Sequence, residues 1–273
     1  VPAAAGFALA CLVSSTTLLY RAGLLRSHVL AIALALLGTA AIVRRSRLPV
    51  ALLSAVYALT HIAWHLLPGI ALVADIIESI RSRKPRFTIT LCSLAGTIAA
   101  VLFSPYFPAN LKLWWVQNVG VLGMAWSPLA PDLGLGLEVL PGRPSHLVYY
   151  NLGPILFTLA GLVLVVRPKR GGTEAAPAQL TGVFTVGLVA TGFLALSLMS
   201  RRFVEFWAPM SVLFAGLAWG AAGSGWKEWS ARRHLPAWCL VLFRGLGLFN
   251  IGERRRIVSD DPGRIFASCA ACR

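Results

Sequence analysis

Two arginines and a glutamate stand at the head of an apolar run. They are Arg201, Arg202 and Glu205, in the stretch 200–216, Ser-Arg-Arg-Phe-Val-Glu-Phe-Trp-Ala-Pro-Met-Ser-Val-Leu-Phe-Ala-Gly. A second apolar run, 180–199, ends immediately before them. Charge is expensive next to hydrocarbon, so a charged cluster between two membrane-length runs is a candidate functional site. Adjacent guanidiniums can grip phosphate bidentately. Glu205 lies one helical turn on, where it can pair with either arginine and hold it in place. The competing account is interfacial: the arginines snorkel and Glu205 balances them.

Other constellations have chemically suggestive spacing. His61 and His65 are four apart and would share a helix face, a metal-ligand spacing. Ile62 stands where the zinc-protease motif has its glutamate. Five histidines in all are too few for a membrane di-iron site, so no metal is assigned. Asp75 and Glu78 resemble the carboxylates of ion-coupled transporters. They also lie just before the basic stretch 81–86, where pairing with Arg81 or Arg83 is the simpler account. Cys269 and Cys272 form a CxxC with neither a second pair nor a packed domain around it, as a redox or metal site requires. Asp132 and Glu138 sit in a Pro/Gly-rich loop and read as solvated.

The elements that position these groups are apolar helices. Of 273 residues, 57% are hydrophobic and 13% charged, with mean hydropathy +0.73. A soluble domain is about a quarter charged. The fold class expected is therefore all-α, a polytopic transmembrane helical bundle of seven or eight spans. A net charge of +15 in a soluble protein would suggest nucleic acid. Here the cations cluster in short connections between apolar runs, the pattern of cytoplasmic loops facing anionic lipid, so membrane lipid is the expected partner and nucleic acid is not. Residues 1–252 read as the transmembrane domain and 253–273 as a polar, basic tail whose change of composition is out of keeping with the rest.

Apolar runs of near-spanning length occur at 3–20, 29–43, 48–80, 87–103, 146–166, 180–199 and 203–222, with a weaker one at 236–251. The run 48–80 is too long for one span and short for two. The sequence predicts a span to about Leu67, a break at Pro68-Gly69 and a shorter helix beyond, with a tight helical hairpin as the alternative. Basic connections at 81–86 and 167–170 read as cytoplasmic, which puts the Pro/Trp-rich loop 104–145 and the arginine pair on the outer face. Within that loop, 109–124 reads as a helix on or dipping into the membrane. Before Phe87 the orientation is ambiguous, because the basic connections cannot all be inside with single crossings between them.

The outer turn Arg201-Arg202-Phe203-Val204-Glu205-Phe206, a proline within the next helix (Pro209) and the upstream Pro105-Tyr106-Phe107-Pro108-Ala109-Asn110 resemble the GT-C superfamily of polytopic glycosyltransferases. The resemblance covers about 87–223. It implies a multi-pass protein of a bacterial inner membrane and a polyprenyl-phosphate-linked sugar donor bound on the outer face. Arg201 and Arg202 would then lie near the donor phosphate, with Glu205 supporting them. Such enzymes carry an essential acidic residue in a first outer loop, and no acidic residue precedes Asp75. The expectation is that this part lies upstream of Val1 or is missing, as in a truncated or inactive member. The alternatives are a small permease or ion-coupled transporter working through Asp75 and Glu78, and a non-catalytic membrane protein.

Overall fold

The computed structural model describes residues 27–125, 144–166 and 177–221, together with Ala10, Ser14, Ser15, Thr17 and Leu18. Asp132, Glu138, the CxxC pair, the run 236–251 and the tail lie outside the described residues. The described residues are helical and contain no strand. In order they form α1 (Ser27–Val43), α2 (Arg47–Thr60), α3 (Leu66–Ser82) and α4 (Thr88–Leu102). Then come α5 (Ala109–Trp115), a π-turn (Val116–Gly120), α6 (Val121–Ala125), α7 (Pro144–Tyr150) and α8 (Leu152–Val166). The last elements are α9 (Pro177–Met199), a 3₁₀ turn (Arg201–Phe203) and α10 (Val204–Ala221).

The bundle has a hydrophobic core that includes Trp207, Tyr57, Leu67 and Phe214, but where α2 meets α4 it is small and polar within and apolar without. Along α4 the buried face carries Thr90, Ser93, Thr97 and Ala100, while Leu91, Leu94, Ile98 and Leu102 stand exposed. On α2, Leu48, Leu52, Val56 and Leu59 form the same kind of outward stripe. The inner faces meet closely because their residues are small. Ser54 and Ser93 share a hydroxyl hydrogen bond at 2.7 Å. Gly96 lies so near α2 that an added Cβ would fall 2.0 Å from the Ala51 carbonyl oxygen. Small residues that let backbones approach, with hydroxyls bridging them, are how helices associate in lipid. Phe214 of α10 obeys the same rule, its ring wedged between Gly161 of α8 and Gly187 of α9.

Two described helices are long and apolar enough to cross a membrane, Gln179–Met199 and Arg201–Ala221. The remaining apolar helices, α1, α2, α4 and α8, have 14 to 17 residues. At 1.5 Å per residue these reach roughly 21–26 Å, against a hydrocarbon core of about 30 Å. The expected span at 146–166 is two helices rather than one. Its break is at Asn151, where Pro154 removes the backbone donor that would have closed the turn onto Tyr150. Asn151 is fixed there, accepting from the Ser15 hydroxyl at 2.6 Å and donating to the Leu147 carbonyl at 3.1 Å.

The run 48–80 folds as the tight hairpin. Its break is at 61–65, not at Pro68-Gly69. Pro68 falls in the first turn of α3, where a missing N–H costs nothing, so it starts the helix instead of ending one. Two consequences correct the sequence reading. His61 and His65 do not share a helix face: His61 caps the end of α2 in extended backbone and His65 caps the start of α3. The basic turns at 44–47 and 81–86 lie at one end of the bundle, joined through Asp75, where the sequence reading left the arrangement before Phe87 open.

That basic end is tied together by two ion pairs, one of them between residues 30 apart in sequence. Asp75, with no exposed surface, accepts from the Arg45 guanidinium. It also accepts from the Thr90 backbone N–H and hydroxyl, both at 2.8 Å. The expected partners, Arg81 and Arg83, are displaced because the α1–α2 turn places Arg45 against Asp75, with Arg45 itself in the left-handed region (φ 57°). Glu78 pairs with Arg86 at 3.6 Å and accepts from the Thr181 hydroxyl at 2.8 Å. Arg81 reaches the same hydroxyl at 2.9 Å.

Candidate functional site

The opposite end of the bundle holds a cavity of about 720 Å³ between α3, α9 and the start of α10, with the π-turn beside it. Chain breaks build it. α9 stops at Met199, Ser200 is extended (φ −156°, ψ 130°), and the chain re-enters through a 3₁₀ turn that carries both arginines. The polar groups lining the cavity are His61, His65, Gln117, Asn118, Thr191, Arg202 and Glu205. Arg202 and Glu205 therefore both line the cavity. Arg201 does not line the cavity, and its Nε is buried without a hydrogen-bond partner. The 3₁₀ turn rotates the two neighbours about 120° apart, so one arginine faces the cavity and the other does not.

Glu205 is 2% exposed, in a helix segment buried on all sides from Val204 to Val212. Pro209 follows at i+4 and removes the backbone donor to the Glu205 carbonyl, so this turn of α10 is unlike the rest of the helix. The Arg202 guanidinium lies 5.9 Å from the centre of the Phe203 ring, within cation–π range. His61 is buried, edge-on to Tyr57 at 5.5 Å and beside Phe206 at 6.2 Å.

His65 lies in the hairpin connection, outside both helices, and its Nδ1 accepts from the Trp114 indole N–H at 2.9 Å. Trp114 in turn stacks on Trp64 at 5.0 Å. Packing against the two indoles, reinforced by the Arg202 charge, lowers the His65 pKa from its ordinary value. The imidazole is held neutral, as an acceptor at Nδ1 must be. Trp114 belongs to the helix that the sequence predicts over 109–124. The π-turn after it carries Gln117 and Asn118 to the cavity, and Asn118 donates to the Trp114 carbonyl at 3.1 Å. The Pro105-Tyr106-Phe107-Pro108 loop reaches the same end but none of it lines the cavity; Tyr106 and Phe107 are exposed. The histidines and the arginine turn, separate constellations in the sequence, are thus one site.

Two glycines, which sequence reasoning missed, complete it. Gly69 of α3 and Gly192 of α9 both line the cavity, and a Cβ added to either would meet nothing within 4 Å. Gly96, Gly161 and Gly187 are held by close packing; these two are not. A helical glycine costs about 1 kcal/mol relative to alanine, and here it leaves space. Exposed Leu188, Thr191 and Ala195 continue the wall, so the cavity borders the apolar flank of the bundle. Glycine inside an apolar run was the available signal, but sequence does not separate a packing glycine from an open one.

The arrangement joins an apolar flank to one guanidinium, one carboxylate, two imidazoles and two side-chain amides. That set suits an amphiphile with a phosphate or hydroxyl-rich head. Among the described residues no group of three His, Cys, Asp or Glu side chains is placed to hold a metal ion. No family model matches the chain, and no curated protein or solved structure matches it.

Proposed function

We propose that this chain is a multi-pass membrane protein of seven or eight crossings, in a bacterial inner membrane, that binds a polyprenyl-phosphate-linked sugar at its cavity end in the manner of the GT-C glycosyltransferases. The observation that carries the reading is the convergence of Arg202 and Glu205 on a cavity whose glycine walls border the apolar flank. A lipid phosphate arriving from the bilayer needs that combination of cation, slot and apolar surround. The outward apolar stripes of α2 and α4 support membrane immersion, because exposed apolar surface of that extent is not left to water. The shorter helices would be matched by local thinning of the bilayer. Collection of the basic turns at the other end supports a cytoplasmic orientation for that end.

In the transfer step, an acceptor hydroxyl forms its bond to the sugar anomeric carbon as the carbon–oxygen bond to the lipid phosphate breaks. Arg202 takes up the charge developing on the departing phosphate. Glu205, the carboxylate in the cavity wall, receives the hydroxyl proton. A transporter reading has less behind it, since Asp75 is saturated by Arg45 and Thr90 at the far end.

The test is binding of a polyprenyl monophosphate to the full chain in nanodiscs. Arg202→Ala should weaken binding about tenfold or more, given about 1.5–3 kcal/mol for hydrogen bonds to a charged group. Arg201→Ala should have a smaller effect. Gly192→Phe, at a position where an added Cβ meets nothing within 4 Å, puts a ring into the slot and should weaken binding as well. Unchanged affinity in Arg202→Ala and Gly192→Phe together would end the proposal.

A further inference from the structure

The basic end carries more cation than its carboxylates use. The turns 44–47 and 81–86 hold seven cations: Arg44, Arg45, Arg47, Arg81, Arg83, Lys84 and Arg86. Against them stand Asp75 and Glu78. Asp75 is occupied by Arg45, and Glu78 by Arg86 and the Thr181 hydroxyl that Arg81 also meets. Arg44, Arg47, Arg83 and Lys84 remain, all exposed and with no ion pair among the described residues. Both turns contain an arginine in the left-handed region, Arg45 at φ 57° and Arg83 at φ 53°. That conformation is unfavourable for a side chain with a Cβ and is tolerated where surroundings impose it.

The two turns are not independent. Asp75 binds Arg45 of one and the Thr90 backbone of α4, which the other turn leads into. The Arg86 backbone N–H donates to Ser79 Oγ at 2.9 Å, closing the second turn back onto α3. Large apolar side chains flank the cations: Leu48 is 68% exposed, Ile80 74% and Phe87 45%. A surface for a soluble polyanion has no use for exposed Leu, Ile and Phe. At a bilayer interface the pairing is expected, with apolar groups in the acyl region and guanidiniums at the level of the phosphates.

We propose that the 44–47 and 83–86 turns form one docking surface for anionic phospholipid, its occupant a lipid with a phosphodiester and net negative charge. This rests on the membrane reading but not on the cavity or on glycosyl transfer. Arg44 and Arg47 contribute from one turn and Arg83 and Lys84 from the other, with Phe87 and Leu48 anchoring the rim in the acyl layer. The Asp75–Arg45 pair fixes the spacing of the turns and is not itself part of the contact.

The full chain is reconstituted in mixed phosphatidylglycerol and phosphatidylcholine, and the lipid retained after extraction is counted by mass spectrometry. The expected result is several-fold enrichment of phosphatidylglycerol, falling as salt rises and not displaced by inorganic phosphate. The quadruple variant Arg44→Gln/Arg47→Gln/Arg83→Gln/Lys84→Gln should retain both lipids in the ratio supplied. Each half-variant should lose part of the enrichment. Should the quadruple variant fail to fold, changing the three arginines to lysine, which keeps the charge, should preserve the enrichment. Undiminished enrichment in a folded quadruple variant overturns the proposal. So does enrichment lost wholly through one turn, or displacement of the lipid by an RNA oligonucleotide. Retention of neutral lipid without preference refutes this surface alone, whereas retention of no lipid refutes the membrane reading beneath it.

Discussion

Removing the Asp75 carboxylate should loosen the basic end of the bundle without touching the cavity. Asp75 has no exposed surface and meets three donors, the Arg45 guanidinium and the Thr90 N–H and hydroxyl. Breaking a buried ion pair by deleting one partner costs about 3–5 kcal/mol, because the remaining charge is stranded. Arg45 is 29% exposed, so it can partly re-solvate, and the expected loss for Asp75→Ala is near the lower end, about 3 kcal/mol. Asp75→Asn keeps an acceptor for Thr90 and should cost less. A domain of this size shifts by about 2–4 °C per kcal/mol, so Asp75→Ala should melt roughly 6–12 °C lower. The assay is thermal unfolding in nanodiscs, with Arg45→Gln and the double variant completing a cycle. The pair should show a coupling of about 1 kcal/mol or more. Polyprenyl-phosphate binding by folded Asp75→Ala should be unaffected. A melting point for Asp75→Ala within about 1 °C of the parent, or strict additivity in the cycle, would refute the structural role of Asp75 and return it to the transporter account.

Three further outcomes are expected. Gly187→Leu should destabilise by about 1–3 kcal/mol because its side chain would enter the Phe214 ring, and Phe214→Ala should relieve part of that loss in the same melting assay. Tyr57→Phe should raise the melting point, since the Tyr57 hydroxyl is buried without a partner and its loss removes about 1 kcal/mol of unrecovered desolvation. The His65–Trp114 contact should depend on pH: with the folded pKa below 6.5, its stabilisation is complete above that value and is lost as pH falls through the folded pKa. Tryptophan emission should therefore shift on acidification in the parent and not in His65→Phe, the difference isolating Trp114 among nine tryptophans. An identical pH response in the two proteins would show that His65 does not hold the indole.

Much of this was legible in composition and local pattern. The apolar runs 29–43, 87–103 and 180–199 and the one after the arginine turn each became a helix, because a sustained apolar run can satisfy its backbone by itself only as a helix. The turn at 200–203 was legible because two arginines cannot lie within a membrane-length run without cost. Proline was the misleading signal. By residue type alone Pro68 marks a break, yet it starts a helix, since its effect depends on whether it falls in a first turn or an interior one. At Asn151 the break was missed, because a span-length apolar window does not register a proline at its head.

Sequence by itself determined that the described segments are helical, where the cations cluster, and that Arg201, Arg202 and Glu205 lie within one or two turns of each other, because these follow from residue types and spacings; which arginine faces the cavity did not. Tertiary structure alone decided the partners. Arg45 reaches Asp75 from 30 residues away, Thr181 reaches Glu78 from 103 residues away, and Trp114 reaches His65 from 49. It also decided that Gly69 and Gly192 leave a space while Gly161 and Gly187 are filled by Phe214. The physical reason is the same in each case. Local propensity is a property of a few neighbours along the chain, whereas ion-pair choice and cavity volume depend on which helices pack together and how closely, and that is fixed only when small residues far apart in sequence meet.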